Sequence, residues 1–571
     1  MRKPPSRSTV IILLWIAPVC FLLLFYFYPL GSILSLSLAR SQQGWLAPFI
    51  EAIHSPTARD ALGFTFWQAT LSTLLTLALG LPGAYLFAHY NFRGKALLQA
   101  LTGIPFLMPT LVVATAFNAL LGPNGWINIG LMQLFKLSGP PVQFTNSLGA
   151  ILIAHVFYNT TIILRTVGDF WSHLDPRMNQ AARMLGASRW QAIRWVTLPL
   201  LTPAIAAAAL LVFIFDFTSF GVILILGGPH FSTLEVEIYY QTISLFNLPM
   251  AAVLSLIQLA CTLGLTVLYT RLIRRVSIPV SLKSQSVTQK RFTTNRTRLT
   301  AGIIFSVLLA ILILPLAALA FRSVTRLEAN RGTATVAPPS LTLDYYRQLD
   351  VNSNASIFFA PPATAIAVSL GYAVATMILA LLLGFPAAIA LSRDPSSTVS
   401  HGLDAILMLP LGTSAVTLGL GFIVALGKPP LDLRSSWLLV PLAHTLVAFP
   451  FVVRNLTPAL RSIRPRMRQA ASVLGASPRD VIRYIDIPLI GRSMIVAATF
   501  AFTISLGEFG ATSLIARPQF PTIPIAIYNL ITRPGELNYG QALALSTLLM
   551  VVAGAGMMVI NRLRIGDVGE F

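Results

Sequence analysis

Residues 178–199 read MNQAARMLGASRWQAIRWVTLP, and residues 467–488 read MRQAASVLGASPRDVIRYIDIP. A single offset of 289 lays one on the other. Met178, Gln180, Ala181, Ala182, Leu185, Gly186, Ala187 and Ser188 fall on Met467, Gln469, Ala470, Ala471, Leu474, Gly475, Ala476 and Ser477. The same offset carries Arg194 to Arg483, Pro199 to Pro488, Phe220-Gly221 to Phe509-Gly510 and Tyr239 to Tyr528. Upstream, Leu79-Gly80-Leu81-Pro82-Gly83-Ala84 matches Leu383-Gly384-Phe385-Pro386-Ala387-Ala388 at offset 304, and Pro105 matches Pro410 at 305. Tyr28-Pro29-Leu30 meets Leu314-Pro315-Leu316 at 286. A chain that matches itself this far is a tandem repeat. The drop from 305 to 289 puts 16 extra residues in the first copy, in the loop Gly122–Val142.

The surroundings of these segments are apolar. Of 571 residues, 55% are hydrophobic and only 10% charged, with a mean hydropathy of +0.74. A soluble domain carries about 25% charged residues. The chain cannot cover a water-facing surface, which excludes soluble, disordered, fibrous and disulfide-scaffold classes. Cys20 and Cys261 sit in apolar runs and read as small hydrophobes. A membrane span needs about 20 apolar residues. The sequence supports twelve, near 10–30, 62–90, 98–121, 147–166, 200–226, 251–272, 301–321, 363–391, 403–427, 437–457, 491–515 and 541–561. The first follows Arg2, Lys3 and Arg7, is too long for the apolar core of a signal peptide, and reads as a retained anchor. The fold class is therefore an all-α polytopic membrane protein of two tandem six-helix repeats. Six spans per copy make the repeats parallel, with a pseudo-two-fold axis along the membrane normal. The expected units are 1–275 and 301–571, joined by a linker over 276–300.

Net charge is +21, from 40 Lys+Arg against 19 Asp+Glu. In a soluble protein that would suggest nucleic acid; here it orients the chain. With the N-terminus inside, 29 of the 40 cations fall on inside segments, while the 19 acids fall 8 inside, 9 outside and two within spans. That is the positive-inside pattern. It places both termini and the loops 171–199 and 460–488 in the cytoplasm. Arg271–Thr300, basic and without an acid, reads as a cytoplasmic linker or a contact with anionic lipid.

Each of those two loops holds a short helix ended by Gly186 or Gly475, since glycine accepts the left-handed C-terminal position. Ser188 and Ser477 are placed to cap a second helix, which Pro199 or Pro488 should close. A basic helix lying on anionic lipid explains Arg177, Arg183, Arg466 and Arg468. It does not explain Ala-Ala followed by Gly at one spacing in both copies. Small residues there let another protein approach the backbone closely.

The pattern Gln-Ala-Ala, three residues, Gly, nine residues, then Val-Thr-Leu-Pro or Ile-Asp-Ile-Pro resembles the Glu-Ala-Ala loop of ATP-binding-cassette (ABC) importer permeases of the binding-protein-dependent class. Gln180 and Gln469 replace the leading Glu, which removes a salt bridge from that position but not the helix. The resemblance covers nearly the whole chain, and two fused permease units are similar to the thiamine and ferric-iron importers. Ala154–Asn159, Asp216–Gly228 and Thr233–Tyr239 look most like the thiamine type. The resemblance implies that Gln180, Ala181, Ala182, Gly186 and Ala187, with Gln469, Ala470, Ala471, Gly475 and Ala476, couple the chain to two copies of a separate ATPase. It also implies an external solute-binding protein and a bacterial cytoplasmic (inner) membrane location. No cofactor is expected in this chain; ATP and Mg would sit on the partner. A phosphate-cradling loop needs Gly, four residues, then Gly-Lys-Ser/Thr. At Gly94-Lys95 and Gly427-Lys428 the first glycine is replaced by His89 and Phe422. No nucleic-acid partner and no catalytic or metal site is expected.

Asp216 and Glu508 are carboxylates within spans, and such groups are functional hypotheses by default. Under the 289 offset Asp216 meets Ser505 and Ser219 meets Glu508, so the acids lie one turn apart on equivalent fifth helices. All four residues are candidates for the translocation pathway. Hydrogen bonding that only braces the two halves is the alternative. Glu508→Gln is expected to lower transport and leave assembly intact. His89, His155 and His444 read as satisfied interfacial residues, and Trp126, Trp171, Trp190 and Trp437 as interface anchors. The loops Leu226–Ser232 and Ala516–Pro521 read as an outer gate, as receptor contacts, or as plain loop punctuation.

These readings combine into an ATP-driven importer permease for thiamine or ferric iron, with sulfate, molybdate and polyamines behind. ATPase closure would swing the coupling helices and open the two halves outward. An ion- or proton-coupled secondary transporter is the alternative, since parallel six-span halves fit that class too.

Overall fold

The computed structural model describes residues 7–38, 47–276, 289–292, 294–326, 340–350, 360–393, 397–427, 429 and 431–564. These residues are helical almost throughout. Their only β pairing is two isolated bridges, Tyr90 with Lys290 and Thr325 with Leu341. Among them, nine helices are long and apolar enough to cross a membrane: Leu14–Leu38, Pro56–His89, Leu148–Ser172, Arg189–Phe217, Leu248–Ile273, Asn295–Arg322, Pro362–Arg393, Leu439–Ser462 and Glu536–Ile560. Three bent helix pairs pass the same test together, each a broken span or a re-entrant loop: Lys95–Leu107 with Thr110–Phe135, Thr398–Gly412 with Ala415–Ala425, and Pro478–Leu489 with Gly491–Gly507. With each bent pair counted as one span, these elements match the twelve expected spans in order. The linker expected at 276–300 falls outside the described residues over 277–288. From Asn295 onward its sequence is already the seventh span.

The third and ninth spans are not the straight helices expected at 98–121 and 403–427. They bend by 109° and 96°. In the third, Pro109 forces its predecessor Met108 into extended backbone (ψ 134°), because the proline ring collides with a helical neighbour. In the ninth, Ser414 stands at the corresponding place. There Thr413 is extended, and the Ser414 hydroxyl accepts the N–H groups of Val416 and Thr417 to start the next helix. The fifth and eleventh spans also break, at Thr218–Phe220 and at Glu508–Phe509, before short helices Gly221–Leu226 and Gly510–Ile515.

Three π-helical turns, Leu23–Phe27, Ile193–Thr197 and Ile482–Asp486, each end two residues before a proline: Pro29, Pro199 and Pro488. Proline offers no N–H and crowds the carbonyl four residues back. The wider turn, in which Leu198 N–H reaches Ile193 O, absorbs that defect without stopping the helix. Pro199 therefore does not close the second loop helix, as the sequence suggested. In the first copy the helix runs on from Arg189 to Phe217. In the second it stops at Leu489 and turns by 76°.

Two compact units form, and they do not coincide with the sequence repeats. One holds 1–52, 238–256 and 344–571; the other holds 53–237 and 257–343. In the first, the opening span packs on second-copy helices: Phe21 lies 6.5 Å from Phe449, Phe25 6.4 Å from Phe422, and Tyr26 Oη 2.7 Å from Thr413 Oγ1. In the second, the seventh span packs on first-copy helices, with Phe305 5.3 Å from Phe87 and Phe321 5.0 Å from Trp126.

Each unit is pinned by a glycine at a close helix crossing. A Cβ on Gly80 would lie 2.8 Å from Ile163 Cβ, and one on Gly384 2.6 Å from Val452 Cγ1. Ile and Val are stiff at χ1 in a helix, so neither yields. Gly80→Ala and Gly384→Ala should each cost about 1–3 kcal/mol through overpacking, read as a lower unfolding midpoint in detergent.

Candidate functional site

The two matched loops fold alike. Asp175 caps the first helix, Pro176–Met184, by accepting from Arg177 N–H, and Gly186 ends it at φ +93°. Ala187 N–H then reaches back to Ala182 O at 3.1 Å. In the second copy Pro465–Val473 ends at Gly475 with φ +87°, and Ala476 N–H reaches Ala471 O at 3.0 Å. This closure explains the spacing from Ala182 to Gly186 and Ala187: a six-residue back-bond needs a left-handed residue at its turn. A Cβ on either glycine would meet nothing within 4 Å, so φ and not space demands glycine. Capping boxes follow, Ser188 with Gln191 and Ser477 with Asp480.

Ala182, Ala187, Ala471 and Ala476 are half-buried, while Gln180, Ala181, Gly186, Gln469, Ala470 and Gly475 are exposed. The residues between them carry the sharper signal. Met184 and Leu185 are 88% and 90% exposed, and Val473 and Leu474 are 87% each. Arg194 stacks over Trp195 at 5.7 Å, and Arg483 over Tyr484 at 5.6 Å. Apolar side chains exposed at equivalent tips of two basic loops are surface that a protein or membrane contact would cover. Sequence reasoning gave Leu185 and Leu474 only as repeat matches and assigned the contact to the small residues, without singling out Met184 or Val473. Trp190, read as an interface anchor, lies exposed on this loop.

The carboxylates are buried, each within its own unit. Asp216 Oδ1 accepts from Asn159 Nδ2 at 2.7 Å and lies 3.5 Å from His155 Nδ1. Gln68 Nε2 donates to the Asp216 carbonyl at 2.7 Å. His155 bridges Ser72 Oγ (3.0 Å) and Ser219 Oγ (2.8 Å). In the second copy His444 Nδ1 lies 2.7 Å from Ser505 Oγ, and its Nε2 lies 2.7 Å from Thr512 Oγ1 and 3.1 Å from Glu508 Oε2. Ser505 Oγ donates to Thr376 Oγ1 at 3.2 Å. Glu508 sits at the helix break and accepts Ala511 N–H at 2.8 Å and Thr512 N–H at 3.1 Å. A carboxylate at a helix start meets unpaired N–H groups and the positive end of the dipole.

Each copy thus joins its second, fourth and fifth spans through one buried histidine. His155 and His444, read from sequence as interfacial, are instead fully buried centres of these networks. Their 289-residue separation was the available clue. Asp216 is brought to Ser219 by His155, and Glu508 to Ser505 by His444. His89 packs 5.2 Å from Trp171 and 4.5 Å from Tyr85.

The loop Leu226–Ser232 contains a short 3-10 turn, Gly228–His230, with His230 exposed. In Ala516–Pro521, Arg517 Nε donates to Arg434 O at 3.0 Å. On the short helices that follow, the offset-related phenols of Tyr239 and Tyr528 hydrogen-bond. Burial, and then the Tyr239 phenol beside it, pushes Tyr528 up to about 12.

A family model described as "Binding-protein-dependent transport system inner membrane component" matches twice, over residues 78–278 and 380–566. The "Thiamine transport system permease protein ThiP" of Brucella abortus (strain 2308) is 29% identical over 506 residues, covering 87% of this chain and 86% of that protein. Its Escherichia coli (strain K12) namesake is 25% identical over 509 residues, covering 88% of each. The "Probable ABC transporter permease protein y4fN" of Sinorhizobium fredii is 26% identical over 528 residues, covering 91% and 90%. Among solved structures, a bacterial ABC transporter that imports alginate matches at 19% identity and TM-score 0.38, over 48% of this chain and 97% of that chain.

Proposed function

The chain belongs to the binding-protein-dependent transport system inner membrane components, the permease subunits of ABC importers, and from that membership we propose the parts of the machine that its residues form. The permease is a multi-pass inner-membrane protein and not itself an enzyme. It works with a solute-binding protein and ATPase partners. Its two docking helices, Pro176–Met184 and Pro465–Val473, face the cytoplasm with both chain termini. Each receives one ATPase subunit, which carries the ATP and Mg. The observation that carries this assignment is the pair of exposed apolar tips, Met184-Leu185 and Val473-Leu474. Fully burying such a side chain is worth about 1.5–3 kcal/mol, enough to favour a partner at both sites.

The His155–Asp216 and His444–Glu508 networks brace the second, fourth and fifth spans of their copies beside the helix breaks. Ser219 and Ser505 belong to the same braces. The acids tie helices together and do not coordinate the solute.

Thiamine is the solute this reading favours, ahead of ferric iron. It rests on relatives of that name that match the chain nearly end to end. Proteoliposomes holding the permease, its ATPase and its binding protein should accumulate labelled thiamine only when ATP is supplied to the ATPase side. Uptake that follows a proton gradient and ignores ATP would restore the secondary-transporter alternative. ATP-dependent accumulation of ferric iron in place of thiamine would overturn the solute.

A further inference from the structure

We propose that a side-chain strut ties each docking helix to the base of the following span, and that the two struts are chemically unequal. This rests on the reading of these helices as ATPase docking sites. In the first copy Asn179 Nδ2 donates to Thr197 Oγ1 at 3.0 Å. In the second, Arg468 Nε donates to Asp486 Oδ1 at 2.7 Å. The offset of 289 carries Asn179 to Arg468 and Thr197 to Asp486. Both members of the pair have therefore changed while the connection between them is kept. Each strut runs from the fourth residue of the docking helix to the last residue of the π-helical turn, Ile193–Thr197 or Ile482–Asp486.

The second strut is the stronger. Asp486 is fully buried and has a second cation, Arg393, at 3.6 Å. Arg468 also donates to Leu460 O at 3.0 Å, so it joins the end of the preceding span, the docking helix and the start of the next. A charge-assisted bond is about twice as strong as a neutral one. Without a strut, a push on the docking helix would be lost in the loop that turns at Gly186 or Gly475. Through it, the push reaches the span. Arg468, Asp486, Asn179 and Thr197 are positioning residues: they transmit a displacement and touch neither ATP nor solute.

The test is solute imported per ATP hydrolysed, in proteoliposomes of the full complex, with ATPase co-purification measured alongside. Arg468→Ala should retain the ATPase but lower the ratio at least fivefold. Asn179→Ala should lower it about twofold. The double variant R468N/D486T, which moves the first copy's neutral bond into the second, should recover at least half of the wild-type ratio. A wild-type ratio in Arg468→Ala overturns the strut. A loss in Asn179→Ala as large as in Arg468→Ala overturns the inequality. If Arg468→Ala fails to fold, because Asp486 is stranded, R468N/D486T decides alone: a ratio near zero in a folded complex that hydrolyses ATP overturns the proposal. Failure of the docking reading looks different, since the wild-type permease would then not capture the ATPase at all.

Discussion

Changing Leu185 and Leu474 together to aspartate abolishes stable capture of the ATPase subunit and brings uptake down to background. Both side chains are almost wholly exposed in the isolated chain, so replacing them costs the fold nothing. Each contributes about 1.5–3 kcal/mol when buried by a partner, roughly ten- to a hundredfold in affinity per site. Aspartate goes further than alanine, because it carries an unpaired charge into the interface. The single variants should each weaken capture at one loop, and the double should weaken it at least a hundredfold. The check is co-purification of the ATPase with detergent-solubilised permease, together with a size-exclusion profile that shows the permease still folded. Unchanged capture by the double variant would refute these tips as the docking surface.

Glu508→Gln destabilises the permease by about 3 kcal/mol or more, while Asp216→Asn costs less than about 1 kcal/mol. The two acids occupy related places but differ in what they hold. Both oxygens of Glu508 accept: Oε1 takes Ala511 N–H, and Oε2 takes Thr512 N–H and the Thr512 hydroxyl. A glutamine amide nitrogen cannot accept, so one side of that cradle meets a donor facing a donor. Asp216 takes one amide hydrogen from Asn159 at Oδ1, and its Oδ2 makes no hydrogen bond. Asparagine keeps the one acceptor in use. Unfolding midpoints of the two variants in detergent should separate by several degrees. Equal midpoints would show that the cradle around Glu508 adds nothing. The sequence-based expectation for Glu508→Gln was reduced transport with assembly intact; the geometry adds a stability loss to it.

How much could be read without coordinates differs from element to element. The helices Pro176–Met184 and Pro465–Val473 were legible because their signals are local. A proline or aspartate start, Ala182 to Gly186 spacing and a serine cap lie within a few residues of one another, and hydrogen bonds between near neighbours enforce them. The repeat offset pairs the buried histidines, but their bonding partners were not legible. His155 lies 61 residues from Asp216 and His444 lies 64 from Glu508, and nothing in a helix's local pattern names a partner at that distance. The bends of the third and ninth spans fall between these cases. Pro109 marks one, but Ser414 marks the other only once the two copies are aligned.

The sequence by itself determined that this chain lives in lipid, that it is one permease unit written twice, and that each copy carries a short helix ended by a glycine turn. Those features follow from composition, from repetition and from bonds that close over a few residues. Only the tertiary structure decided that the opening span packs with the second copy and the seventh span with the first, where the spans break, and which hydroxyls and histidines hold the two buried acids. Membrane helices are apolar on nearly every face, so hydrophobicity does not tell one neighbour from another. The choice is made instead by shape, at glycine crossings such as Gly80 on Ile163, and by the need of every buried polar group for a partner.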